Sequence, residues 1–182
     1  SPSCKKVVGI DIIEDAIKDA EKNAKTNGVE NAYFFAGKAE EMMNKVMQEH
    51  LGEVEKVGDV IAIVDPPRAG LHLKVLRALR ECKYINKVVY VSCNQNSLVN
   101  DNSALTRAKS NNTPGTPFVP VVAQPFDLFP HTPHCELVVL YQRDVDVVQA
   151  EEKTAEPELP AVETEGETVV VENGVENAMD DK

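Results

Sequence analysis

The chain has 182 residues, 42% of them hydrophobic, which is enough for a domain with a real core; no run approaches the ~18 apolar residues of a membrane span. Its net charge of −11 is unevenly placed: of 30 acids and 19 bases, 13 acids and only 2 bases lie in residues 144–182, leaving 17 of each in residues 1–143. The body is therefore neutral and the acidic total does not exclude a nucleic-acid partner.

Ser-Pro-Ser-Cys-Lys-Lys at the start has no apolar signal-peptide core and no initiating Met, so a processed chain or a piece of a longer one is expected. Lys6 to Asp11 reads as a buried strand ending in an acid. Glu14 to Thr26 follows as a helix with Ala16, Ile17, Ala20 and Ala24 on one face, closed by Asn27-Gly28. Ala32 to Phe35 is a second strand, and Glu40 to His50 a second helix with Met42, Met43, Val46, Met47 and Leu51 as its apolar side. Val57 to Val64 is near-continuously apolar, the mark of a strand buried on both faces. Leu71 to Arg80 is the helix after it, and Lys87 to Val91 the fourth strand.

Beyond that strand, Gln95 to Ala108 is a polar helix or loop, and Asn111 to Pro117 a loop rich in Asn, Pro, Thr and Gly. Phe118 to Phe126 and Cys135 to Arg143 are extended and have no helix between them, so an antiparallel hairpin at a sheet edge is expected. Strands alternating with helices predict an α/β fold with a parallel, doubly wound, Rossmann-like sheet over residues 1–143. Residues 144–182 are Glu-rich with few large apolar side chains and are expected to be a disordered acidic tail, despite Val169-Val170-Val171.

Four stretches carry chemistry. Asp11 ends a strand before a helix, where an acid can accept both hydroxyls of an adenosine ribose; a solvated strand-end carboxylate is the bland alternative. Asp65-Pro66-Pro67-Arg68-Ala69-Gly70 follows the most apolar strand, and its two prolines force a rigid turn without N–H groups, able to present the Asp carboxylate to a crevice. A related motif with an aromatic in place of Arg68 serves methylation of exocyclic amines, so Arg68 speaks against amine chemistry. Cys93 stops an apolar run, Val88-Val89-Tyr90-Val91-Ser92-Cys93-Asn94, and is either a strand-end nucleophile or an ordinary core thiol. The segment Asp127 to Glu136 is dense in functional side chains. His131, His134 and Cys135, with Cys93, fit no common zinc spacing, whereas Glu136 at a strand start suits acid–base work. The four cysteines show no paired spacing, which points to a reducing, intracellular compartment, cytoplasm or nucleus.

Taken together, DPPRAG, VSCN and DLFPHTPHCE in this order resemble the S-adenosylmethionine-dependent RNA uracil-C5 methyltransferases, nearest their eukaryotic tRNA-modifying branch, over residues 5 to 143. The resemblance implies a class I methyltransferase fold, S-adenosylmethionine as methyl donor and a tRNA substrate uridine in the T loop. It implies Cys93 as nucleophile and Glu136 as base, Asp11 on the cofactor ribose, and Asp65 lining the cofactor and base pocket. Arg68, His131 and His134 are then placed near substrate, and no metal or membrane is involved.

Gln95 and Asn96 depart from the Pro-Arg-like pair usual in the family, and 101–112 reads as helix-poor where a long helix is usual. The resemblance also implies a Gly-rich cofactor loop and a first strand upstream of Lys6, so a truncated sheet is expected, with exposed edges between the strands ending at Asp11 and Asp65. A non-catalytic RNA- or partner-binding relative of the family is the alternative reading.

Overall fold

Residues 4–51, 60–143 and 168–172 are described by the structure, a computed structural model. The alternating pattern appears in it as β1 (Val7–Asp11), α1 (Glu14–Thr26), β2 (Ala32–Ala36), α2 (Ala39–Leu51), β3 (Val60–Asp65), α3 (Leu73–Glu81) and β4 (Ile85–Ser92). These are followed by α4 (Gln95–Thr106), β5 (Phe118–Phe126), β6 (Glu136–Arg143) and β7 (Thr168–Glu172). The start of the third expected strand, Val57 to Gly58-Asp59, lies outside the described residues.

Hydrogen bonding divides the strands into a parallel pair, β1–β2, and a five-stranded sheet in the order β5-β6-β4-β3-β7. In that larger sheet β3 runs parallel to both β4 and β7, while β6 is antiparallel to β4 and to β5. β7 also lies against β1, so it stands between the two sheets. Thr168–Glu172 falls in the segment expected to be disordered, and here it is a strand because Val169-Val170-Val171 finds the free edge of β3. The rest of 144–182 lies outside the described residues. The edge of β3 expected to be bare is correspondingly paired.

The core follows strand and helix periodicity. Val60, Ala62 and Val64 alternate along β3 at 0% exposure, and Val8, Ile10, Val88 and Tyr90 extend the layer in β1 and β4. Val75, Leu76 and Leu79 of α3 and Met43 and Val46 of α2 cover it. α3 begins two residues later than its apolar pattern predicts, because His72 is its cap: the ring Nδ1 accepts from Lys74 N at 3.2 Å.

The segment after β4 corrects an expectation. Gln95–Thr106 is a regular helix, one of the two readings open for Gln95 to Ala108, and its second half, Asp101 to Thr106, falls in the 101–112 stretch expected to be helix-poor. Asn94 caps it by accepting from Asn96 N at 3.1 Å, and Leu98 and Leu105, seven residues apart, bury one stripe. The loop behind it is held by two buried arginines that bond backbone carbonyls. Arg80 donates to Leu105 O at 2.6 Å, Pro114 O at 3.0 Å and Gly115 O at 3.0 Å. Arg143 donates to Thr116 O at 2.6 Å, Ile85 O at 2.7 Å and Leu79 O at 2.9 Å while stacking over Phe118. Carbonyl oxygens here do for a buried guanidinium what a carboxylate does elsewhere.

Candidate active site

Two neighbouring strands, β3 and β4, stop at Asp65 and Ser92, and the loops beyond them are tied together. After Asp65 the two prolines carry the chain into a turn closed by Gly70 N donating to Pro67 O at 2.8 Å. Gly70 has φ +86°, and a Cβ there would meet Asp101 Oδ2 at 2.8 Å, so the turn requires glycine. Leu71 N then donates to that same Asp101 oxygen at 2.7 Å. After Ser92, Asn94 turns the chain into α4: its backbone N–H donates to Ser92 Oγ at 3.2 Å, and its side-chain amide donates to Arg68 O at 2.7 Å. The DPPRAG and SCN motifs are thus joined by a direct hydrogen bond.

A second tie reaches the acidic end of β6. Gln95 donates from its side-chain amide to Cys135 O at 2.8 Å. β4 and β6 pair antiparallel, and their ladder ends with Ser92 opposite Leu137, so Cys93 lies one residue past the last pair on β4 and Glu136 one residue before it on β6. Both residues are half-buried, accessible to a ligand yet partly shielded from water. A thiol and a carboxylate beside the end of one strand pair are groups suited to nucleophilic attack and to proton removal.

The remaining sequence candidates fall at different distances from this pair. Asp65 is on the adjacent strand; its side chain reaches solvent, yet burial against the protein pushes its carboxyl above the usual carboxylate range. Arg68 contributes its backbone carbonyl to the Asn94 bond and leaves its side chain exposed. Asp11 stands apart, at the end of β1 on the far side of β7. His131 and His134 are exposed in the loop between β5 and β6, and His131 adopts φ 66°. Leu128 and Phe129 in that loop are also exposed, at 63% and 47%, which the sequence patterning did not single out. Asp101 and Tyr90, which carry the turn beneath the site, were missed as well, because Asp101 sits in a stretch of polar residues with no motif around it.

Asp11 suits the ribose of an adenosyl cofactor in part. One of its oxygens accepts from Ile13 N at 2.7 Å, and the other has no hydrogen bond among the described residues, leaving it open to a hydroxyl donor. Asp65 supplies a second acceptor at a strand end. A depression of about 330 Å³ lined by Glu21, Lys25, Val29 and Phe34 lies beside α1 and β2 and includes none of the candidate residues.

A family profile described as tRNA (Uracil-5-)-methyltransferase matches residues 1–144, a span that includes every one of these groups. The chain belongs to the tRNA (uracil-5-)-methyltransferase family. Among its relatives, tRNA (uracil-5-)-methyltransferase homolog A of Mus musculus is 40% identical over 145 residues, covering 79% of this chain and 22% of the relative. Homolog B of Danio rerio is 43% identical over 151 residues, covering 79% of this chain and 30% of the relative. The chain therefore spans less than a third of the length of these two relatives. A solved structure, the putative methyltransferase yhhF from Escherichia coli, aligns at a TM-score of 0.47 and 16% identity over 76% of this chain and 63% of that one, a likeness too low to bear on the fold.

Proposed function

We propose that this member of the tRNA (uracil-5-)-methyltransferase family is the catalytic portion of an enzyme that methylates C5 of a uridine in the T loop of tRNA. The observation that supports the reading is the β4–β6 ladder, whose last pair, Ser92 opposite Leu137, has Cys93 and Glu136 as its immediate neighbours in sequence. The family membership and the DPPRAG, SCN and HCE motifs support it. The choice of a T-loop uridine and of S-adenosylmethionine rests on the family resemblance.

C5 of uracil is a weak nucleophile. The Cys93 thiolate adds to C6, forming an S–C6 bond and moving the ring electron pair to C5 as an enolate-like carbon. S-Adenosylmethionine, when bound, supplies the methyl group. Glu136 then removes the C5 proton, the electrons of that C–H bond restore the C5–C6 double bond, and the thiolate leaves C6. Asn94 and Gln95 hold the two reacting residues in place through Arg68 O and Cys135 O. Asp11 accepts from the cofactor ribose, and Asp65 lines the crevice between cofactor and base. Exposed Arg68, His131 and His134 form the side from which RNA approaches.

The test is adduct mapping with the intact polypeptide that carries this chain. With tRNA containing 5-fluorouridine, fluorine cannot leave C5 as a cation, so a methylated RNA adduct on Cys93 should accumulate and be absent in Cys93→Ala. With ordinary tRNA, Glu136→Gln should accumulate the same type of adduct because the C5 proton stays. An adduct on another cysteine, or tritium release from C5 by Cys93→Ala at the wild-type rate, would overturn the assignment of Cys93, whereas neither adduct nor tritium release with the wild type would favour a non-catalytic binding role.

A further inference from the structure

Asp101 lies on the face of α4 that carries its cap, Asn94, and Ser97, at the spacing of one helical stripe. That face meets both loops of the candidate site. Asn94 donates from its side-chain amide to Arg68 O at 2.7 Å, and Ser97 Oγ donates to Asn94 O at 2.9 Å. Further along, Asp101 Oδ2 accepts from Leu71 N at 2.7 Å and from Tyr90 Oη at 2.6 Å. The turn that follows Asp65 is therefore pinned to one helix at two points, Arg68 and Leu71. Gly70 lies between them, so close to the helix that a Cβ there would stand 2.8 Å from Asp101 Oδ2 and 3.2 Å from Ser97 Cβ.

The two pins are unequal. The Asn94 bond is open to solvent, where water competes for both partners, whereas both Asp101 bonds are buried. Tyr90 itself is at 0% exposure. Burial first, then the Asp101 bond and neighbouring charges, Cys93 last among them, push its phenol above the ordinary range, so the hydroxyl keeps its proton and stays a donor. Tyr90 belongs to β4, the strand that leads to Cys93. Two buried hydrogen bonds in series, Leu71 N to Asp101 Oδ2 to Tyr90 Oη, thus link the turn carrying Asp65 to the strand carrying the thiol.

We propose that Asp101 is a positioning residue for the methyl-transfer site: it fixes the Asp65–Gly70 turn relative to Cys93. It thereby sets the spacing between the pocket that the turn lines and the sulfur that attacks the base. This rests on the roles proposed above for Cys93 and Asp65. A base held against the turn meets the thiol productively only while that spacing is kept, and a misplacement of about 1 Å costs about a hundredfold in rate. Asp101 is 6% exposed, too buried to touch RNA, so its loss should act on the reaction and not on tRNA affinity.

The test uses the intact polypeptide that carries this chain and tRNA containing 5-fluorouridine, with single-turnover formation of the Cys93 adduct as readout. Each variant is assayed at a temperature where circular dichroism shows it folded. Asp101→Asn keeps one neutral acceptor and should slow adduct formation about tenfold at saturating tRNA; Asp101→Ala should slow it toward about a hundredfold. The half-saturating tRNA concentration should stay at the wild-type value in both. Tyr90→Phe should also slow the step, and its factor should not multiply with that of Asp101→Asn, because both act through one bond. Val46→Ala, which weakens the core from α2, should keep the wild-type rate. Without RNA, the Leu71 amide should exchange faster with solvent deuterium in Asp101→Asn, while the Leu79 amide of α3 keeps its protection.

Wild-type adduct rates in both Asp101 variants, an equal loss in Val46→Ala, or an effect confined to tRNA affinity would overturn the positioning role. Unchanged Leu71 exchange in Asp101→Asn would overturn it without any reaction being measured. A wild type that forms no adduct would instead overturn the proposed function, a result distinct from an active wild type with unaffected variants.

Discussion

Tyr90 Oη donates to Asp101 Oδ2 at 2.6 Å, and that oxygen also accepts from Leu71 N at 2.7 Å. One carboxyl oxygen of α4 therefore holds both the strand that leads to Cys93 and the end of the turn that follows Asp65. Asp101 is 6% exposed and no Lys or Arg among the described residues lies within ion-pair distance of it, so its two donors are what its burial depends on.

Replacing Asp101 by Ala leaves a buried Tyr hydroxyl and a backbone N–H without an acceptor. Each such orphan costs about 1–3 kcal/mol, so Asp101→Ala should lower stability by about 2–4 kcal/mol in urea unfolding. Asp101→Asn keeps one acceptor oxygen and should cost less. In a double-mutant cycle with Tyr90→Phe the two losses should be less than additive, because both remove the same bond.

Alkaline pH should expose the buried tyrosines. Burial, then the Asp101 bond and nearby charges, push Tyr90 well above its ordinary value, and burial followed by Asp101 raises Tyr141 to about 12. Above pH 10 the unfolded chain loses these protons while the folded chain keeps them, so stability present below pH 10 is lost as pH rises toward 12. Each tyrosine contributes a slope of about 1.4 kcal/mol per pH unit in that window. Tyr141→Phe should flatten the fall of Tm between pH 10 and 12 by one tyrosine's share.

Asp65 has the opposite consequence for a carboxylate from the usual one. Its pKa is raised above 3.8 by burial, so the folded chain holds the proton longer than the unfolded chain, and folding weakens as pH rises through that range. Asp65→Asn should therefore show a slightly higher Tm than wild type at pH 7, with the difference vanishing below pH 3.8. In the proposed function the same change should weaken S-adenosylmethionine binding by the intact polypeptide, which calorimetry would read.

Gln95 is the first residue of α4, where a proline is tolerated because that N–H has no partner inside the helix. Gln95→Pro should leave α4 intact by circular dichroism and change stability by about 1 kcal/mol or less. It removes the donor to Cys135 O, so any loss should appear in the rate of the proposed reaction and not in folding.

Much of the fold was legible because side-chain periodicity is local. Ile17 and the Ala positions of α1, the alternation in β3 and the full extent of β5 needed no knowledge of neighbours. α4 was harder: Asp101 and Ser97 occupy buried positions that a polarity pattern assigns to solvent, and only their partners, Leu71 N and Tyr90 for Asp101 and Asn94 O for Ser97, make them core residues. Thr168–Glu172 was set aside for a related reason, since a short valine run in an acidic segment becomes a strand only where an edge awaits it.

For Cys93 and Glu136, the sequence by itself determined the residue types, their motifs and the strand ends they occupy. Tertiary structure decided that the strands leading to them pair, ending with Ser92 opposite Leu137, because register across β4 and β6 depends on hydrogen bonds between residues more than forty positions apart. It also decided that Asp11 lies across β7 from Asp65, and that one buried oxygen of Asp101 ties both loops together. Local pattern specifies which groups a chain carries to its strand ends; only the packing of distant segments specifies which of them meet.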